Sequence, residues 1–224
     1  MNKILYTIEE VQQIEKVSYR CSEKYIPIKT TSFIRTLKEF TFQKAIKYST
    51  SKDSSAHIAL LNKNDSDSDV HLLIENSFDR RVAFSLSFYY NGMMFNHIKT
   101  KHIGQNAKSI SDLHKDISFY YDEAVKTIKN LDSAFLSDEH KKNIKDIAFK
   151  TRGYPNADNA FFNIKNDVSA LTYITTLVND IEQGNILKLS TGKAFKQVNR
   201  KAIMVAINSR IFKYIKNNMI EQYV

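Results

Sequence analysis

Between Phe84 and Thr100, apolar and polar residues alternate on either side of Asn91-Gly92. Asn-Gly accepts the positive φ angles of a two-residue type I′ turn, so the segment reads as a β-hairpin. The turn pairs Tyr90 with Met93, Phe88 with Phe95, Leu86 with His97 and Phe84 with Lys99. One face then carries Phe84, Leu86, Phe88, Tyr90, Met93 and Phe95. The other carries Arg81, Ser85, Ser87, Tyr89, Asn96, Thr100 and His102. A slip of one residue would exchange the two faces, so the register is expected to be firm. Upstream, the pattern predicts strands over about 40–49, 57–61 and 70–75, the last two joined by the turn-rich run NKNDSDSD.

Elsewhere the period is helical. Thr7-Ile-Glu-Glu10 is a capping-box pattern and opens a predicted helix over 8–19. Thr30-Thr31-Ser32 opens a short helix that turns Phe33, Ile34 and Leu37 inward. After the hairpin, Ile110, Leu113, Ile117, Tyr120 or Tyr121, Ala124 and Ile128 recur in phase and predict a helix over 109–131. Ser137 begins another, to about 149, with Ile144, Ile147 and Ala148 apolar. Arg152-Gly153-Tyr154-Pro155 is a stop. A helix over 167–182 ends with Gly184 as its C′ residue. Ser190-Thr191-Gly192 leads into a closing helix over 193–217. The expectation is one α+β domain over 1–224. An N-terminal antiparallel β-sheet with the Asn-Gly hairpin (about 25–107) precedes a C-terminal helical half packed on it (about 108–224).

Composition adds bounds. The 224 residues are 42% hydrophobic and 25% charged, ordinary for a soluble globular chain. No run approaches the roughly 20 apolar residues of a membrane span, and the N-terminus turns acidic too early for a signal peptide. The one cysteine, Cys21, excludes an internal disulfide and fits a reducing compartment. Charge changes the picture more. The net charge is +9, and Asn185 to Ile220 contains no acid but eight cations: Lys188, Lys193, Lys196, Arg200, Lys201, Arg210, Lys213 and Lys216. In the first half of the closing helix, Phe195, Val198, Ala202, Val205 and Ala206 fall within about 100° of the wheel. Lys193, Lys196 and Arg200 lie opposite. A cationic ridge without counter-charges attracts polyanions, nucleic acid first among them.

Catalytic patterns fail one by one. Asp65, Asp67 and Asp69 match the first calcium positions of an EF-hand, but Val70 stands where glycine is needed and Asn76 where glutamate is needed. Thr191-Gly192-Lys193 lacks the remainder of a phosphate loop. The six histidines show no zinc spacing. Glu75, Asp79 and His102 could converge as a metal-assisted hydrolytic site, but Asp79 paired with Arg80 or Arg81 at a salt-bridged strand end, with His102 on its rim, is the better reading. Ser85 and Ser87 lack a nucleophile elbow. No catalytic residue, metal or cofactor is expected. What remains is binding. Arg81, Tyr89, Lys99, Lys101 and His102 on or beside the polar hairpin face could stack bases and track phosphates, with Lys193, Lys196, Arg200 and Lys201 on the helix. The competing reading has helices covering that face, with Tyr89 in the core.

Three motifs also carry a resemblance: Asn76-Ser77-x-Asp79-Arg80-Arg81, Phe88-x-x-Asn91-Gly92-Met93, and Lys101-His102-x-Gly104-x-Asn106-Ala107. With Thr175 to Gly184 and Lys193 to Phe212, they resemble the phage- and plasmid-encoded family known as domain of unknown function 932. The chain departs from that pattern with Phe78 where His is usual, and with Tyr89-Tyr90 where a Cys-Ser or Cys-Thr pair is usual. The resemblance implies a mobile-element accessory protein working in the host-cell cytoplasm. Two function classes stay open. One is a nucleic-acid-binding protein of replication, annealing or recombination, acting on DNA before RNA and as a homo-oligomer. The other is an inhibitor of a host defence system that acts by protein–protein binding.

Overall fold

Six strands follow one another across a single antiparallel sheet in chain order, so every connection is a reversal and none crosses over. The computed structural model describes residues 3–16, 21, 27–47, 55–79, 82–100, 110–151, 164, 167–183 and 201–218. The strands are β1 (Lys3–Leu5), β2 (Phe40–Lys47), β3 (His57–Lys63), β4 (His71–Asn76), β5 (Phe84–Tyr90) and β6 (Met93–Thr100). The helices are α1 (Ile8–Ile14), α2 (Thr30–Thr36), α3 (Ile110–Ser133), α4 (Asp138–Thr151), α5 (Ala170–Gln183) and α6 (Lys201–Asn218). The expected order, sheet first and a block of helices after it, holds. β1 escapes the sequence pattern because three residues are too few to show a period; it pairs Lys3, Ile4 and Leu5 with Lys47, Ile46 and Ala45. Contacts divide the chain into two compact units, Met1–Tyr90 with Asn96–Glu123, and Asn91–Phe95 with Ala124–Val224.

In the first unit the capping box forms as expected: Thr7 Oγ1 accepts the Glu10 N–H, and the Glu10 carboxylate accepts the Thr7 N–H. α1 nevertheless ends at Ile14 rather than near Tyr19. Glu15 leaves the helix (φ −79°, ψ 48°). Its carboxylate accepts the Thr31 N–H at 2.8 Å and the Thr31 hydroxyl at 2.5 Å. Lys29, at the N-cap of α2, makes no side-chain cap bond. Glu15 therefore satisfies one of the N–H groups that helix geometry leaves open there. A tertiary bond stops one helix and starts the next.

α2 turns Phe33, Ile34 and Leu37 inward, as their spacing predicts. Phe33 meets Phe84 edge-on at 5.2 Å. α3 approaches through His114, whose Nε2–H donates to Thr36 Oγ1 at 2.8 Å, because that hydroxyl already donates to Phe33 O. One turn beyond Ile117, Tyr121 is the inward tyrosine of the pair, edge-on to Phe40 and Phe88. Its hydroxyl bonds Ser66, and Lys63 lies over its ring at 4.4 Å. The front of the sheet (Ala45, Ala59, Leu61, Leu72, Ile74, Phe84, Leu86 and Phe88) is fully buried. Each large side chain so covered is worth about 1.5–3 kcal/mol of transfer free energy, far above any one surface contact in this unit.

The second unit contains the hairpin tip and the later helices. Asn91 (φ +43°) and Gly92 (φ +90°) both take the left-handed conformation of a type I′ turn, which bears out the hairpin. Asn179 of α5 reaches the Asn91 carbonyl, and Asn208 of α6 reaches the Gly92 carbonyl, each at 3.5 Å. Phe95 meets Phe212 edge-on at 5.5 Å. Ser137 and Ser169 cap α4 and α5 by accepting the His140 and Thr172 N–H groups. α4 and α6 join through Tyr214, whose hydroxyl bonds His140 Nδ1 and accepts from Asn143. Tyr173 is 2% exposed with no hydroxyl partner among the described residues. Burial, with Asp138 adding, pushes it up to about 12. The expected stop at 152–155 and the first turns of the closing helix, 193–200, lie outside the described residues.

Gly92 is constrained twice: its φ suits glycine, and a Cβ there would overlap the Asn179 side-chain oxygen. Gly92→Ala should lower the unfolding free energy by about 1–3 kcal/mol, measured by urea denaturation. Adding Asn179→Ala should recover the steric part of that loss but not the backbone part.

Candidate binding face and cationic helix

The register of the sheet assembles its back face row by row. Thr41, Asn62, His71 and Tyr89 are cross-strand partners in one row over β2 to β5. The next row holds Lys44, Leu60, Leu73 and Ser87. The third holds Ile4, Ile46, Ile58, Glu75 and Ser85. A bulge at Gln43, between Phe42 and Lys44, sets the offset between the first two rows on β2. α2 and α3 both contact the opposite face, through Phe33 and Tyr121.

Tyr89, the described candidate on the hairpin, is half-buried and stacks on His71 at 6.3 Å with an interplanar angle of 24°. One face of its ring is thereby engaged. His71 Nδ1–H donates to Asn62 Oδ1 at 2.6 Å. Burial pulls His71 below the usual imidazole value; Asp69 opposes the shift and Lys44 adds to it. The polar hairpin face is less open than its alternation suggests. Ser85 and Ser87 are 3% and 5% exposed, because two small side chains lie low between larger neighbours. Around them the face is aliphatic, with half-buried Ile46, Ile58, Leu60 and Leu73 and a 44% exposed Ile4. Asp67 and Asp69 stand exposed in the β3–β4 loop. Lys99 lies on β6, and Arg81, Lys101 and His102 fall outside the described residues.

The Asn76-Ser77 motif turns out to be internal, since both residues are fully buried. Asn76 Nδ2 donates to Ile28 O at 2.7 Å and to Thr30 Oγ1 at 3.0 Å. Thr30 Oγ1 lies 2.9 Å from His57 Nε2, and His57 Nδ1 lies 2.9 Å from Ser55 O. The carbonyl accepts from Nδ1–H, so Nε2 accepts from the Thr30 hydroxyl. A directed chain runs Asn76 to Thr30 to His57 to Ser55. Ser77 closes the following turn through both backbone groups of Val82, and Ser55 Oγ accepts the Phe78 N–H at 2.7 Å. Asn76 Oδ1 has no partner among the described residues. This polar core was invisible in the sequence. Its members are up to 48 residues apart, and no local pattern marks them.

The described part of the closing helix separates two sides. Ile207, Asn208, Ile211 and Ile215 form the buried seam. Arg210, Lys213 and Lys216 are exposed on the side away from it. Lys201 is the first residue of α6, while Lys193, Lys196 and Arg200 lie outside the described residues. A half-open cavity of about 160 Å³ lined by Thr36, Glu39, His114 and Ser118 is well below the roughly 300–1,000 Å³ of a ligand pocket.

Among the described residues, no group of three or more His, Cys, Asp or Glu could hold a metal ion. No described helix is long and apolar enough to cross a membrane. Compared with protein-family models, curated proteins and solved structures, the chain matches none.

Two outcomes follow from this geometry. Thr30→Val keeps shape but leaves Asn76 and His57 short of a partner, and should cost about 1–3 kcal/mol in thermal or urea unfolding. His71 should titrate below 6.5 by NMR, with Lys44→Ala moving its midpoint up and Asp69→Asn moving it down. The unfolded chain takes the proton at the higher pH. The stability His71 contributes is therefore present above about pH 6.5 and is lost as pH falls through its folded value.

Proposed function

We propose that the protein binds nucleic acid, DNA foremost, through the outer side of its closing helix, as a mobile-element accessory factor. The reading is carried by one observation: Arg210, Lys213 and Lys216 share the exposed side of α6, opposite the isoleucine seam. The chain from Asn185 to Ile220 contributes no acid to offset them. The same acid-free run includes Lys193, Lys196, Arg200 and Lys201. A helix that buries one side and leaves a row of cations on the other can track phosphates without reading bases. Replication, annealing or recombination would use such binding, and the motif resemblance supports that setting.

Binding of a short DNA, followed by fluorescence anisotropy, should weaken steeply as salt rises. The triple variant Arg210→Glu, Lys213→Glu, Lys216→Glu should reduce affinity and flatten the plot of log K against log salt by about 0.9 per lost phosphate contact. Exposed positions tolerate such changes, so melting should move little. An unchanged slope in the variant would sink the assignment to α6, and absence of any low-salt binding by the natural chain would sink nucleic-acid binding altogether.

A further inference from the structure

We infer that Asn91-Gly92 is a self-modification site: the turn deamidates without an enzyme, at a rate set by how often its tip lifts away from α5. The inference is independent of nucleic-acid binding by α6. This is the one Asn-Gly pair in the chain. In the reaction the Gly92 backbone nitrogen attacks Cγ of the Asn91 side chain and a five-membered succinimide closes. The proton lost from the Gly92 nitrogen ends on the carboxamide nitrogen, which departs as ammonia. Water then opens the ring at either carbonyl and gives aspartate or isoaspartate, with no other co-reactant. Asparagine is among the thermolabile residues, and a following glycine has no Cβ to obstruct the attack. Asn91 is exposed, so water and base reach it. Two asparagines followed by serine offer a contrast. Asn76 is fully buried, with its amide donating to Ile28 O and Thr30 Oγ1, and Asn208 is buried within α6.

The fold both requires this pair and holds it back from reacting. Positive φ at Asn91 and Gly92 gives the type I′ turn, in which ψ of the first central residue is near about +30°. Ring closure turns the peptide plane between the two residues well away from that value. Two contacts resist the rotation: Asn179 reaches the Asn91 carbonyl and Asn208 reaches the Gly92 carbonyl, each at 3.5 Å. Asn179 also packs so close that a Cβ on Gly92 would overlap its Oδ1. The plane turns when the tip lifts from α5, so the folded rate is the intrinsic rate multiplied by the open fraction. A side chain at position 92 would slow the chemistry, and it is what Asn179 leaves no room for. The product no longer fits this seat. Isoaspartate adds a methylene to the main chain across the turn, and the Asn91 carbonyl that Asn179 contacts becomes a free carboxylate. A two-residue turn has no slack for an extra backbone atom, so conversion unseats the tip irreversibly.

The test incubates the full chain in mildly alkaline buffer and follows the amide-to-acid mass gain at Asn91 by peptide mass spectrometry, with fragmentation that separates isoaspartate from aspartate. The same chain unfolded in urea gives the intrinsic rate, and Gly92→Ala should slow it there. Conversion of the folded chain is expected to be slower by about tenfold or more. Asn179→Ala, at a half-buried position, should raise the folded rate by about threefold to tenfold, the worth of one hydrogen bond, and leave the rate in urea unchanged. Asn76 and Asn208 should stay unconverted in the folded chain. The purified isoaspartate form should exchange its tip amide hydrogens faster than the starting protein. Absence of conversion in urea would overturn the site. Equal rates in the folded and unfolded chain, or a folded Asn179→Ala protein that converts no faster than the natural one, would overturn its control by α5. Conversion of Asn76 in step with Asn91 would also do so, by assigning the reaction to global unfolding.

Discussion

The Asn91-Gly92 turn is the constraint on which most of the architecture depends. Two successive residues with positive φ bring β5 and β6 back antiparallel without an extra residue. Once that turn is set, the parity of every side chain on β5 follows, and cross-strand pairing carries the same parity through β4, β3 and β2. The front face then becomes continuous in Phe, Leu, Ile and Ala, which α2 and α3 cover. The residues of the tip also belong to the helical unit, where Asn179 and Asn208 meet their carbonyls. A single short turn is thus under two demands, one from strand register and one from helix packing. Glycine at position 92 suits both.

The polar groups inside the first unit do a different kind of work. Hydrophobic burial is non-directional and would tolerate α2 at several rotations. Glu15 holding Thr31, and Asn76, Thr30 and His57 holding one another, accept only one arrangement. Each bond contributes about 1 kcal/mol net, yet breaking one strands a buried partner at greater cost. The arrangement is therefore enforced more by the penalty for loss than by the gain on formation. It also changes the meaning of the Asn-Ser motif. In this chain those residues secure the end of β4 and the start of α2, and they are not displayed to a ligand.

Charge and apolarity are assigned to separate surfaces. Among the described residues, the exposed side of α6 carries Arg210, Lys213 and Lys216, whereas the back face of the sheet is aliphatic around Lys44 and Glu75.

Local periodicity was enough for much of this. The hairpin turn, the capping box, α2, the phase of α3 and the acid-free run could all be read from neighbouring residues, because turns and amphipathic stripes depend on spacings of a few positions. Three things could not. β1 is too short to show a period and exists because β2 offers it an edge. α1 stops five residues early because Glu15 is drawn to Thr31, a partner 16 positions away. The hairpin's polar face holds buried serines and a stacked tyrosine because β4 supplies neighbours that β5 and β6 do not contain. The sequence by itself determined which residues alternate, where the chain turns and where the positive charge accumulates. Only the tertiary structure decided which polar groups are spent on the core and which stay at the surface, because burial depends on what distant segments bring alongside.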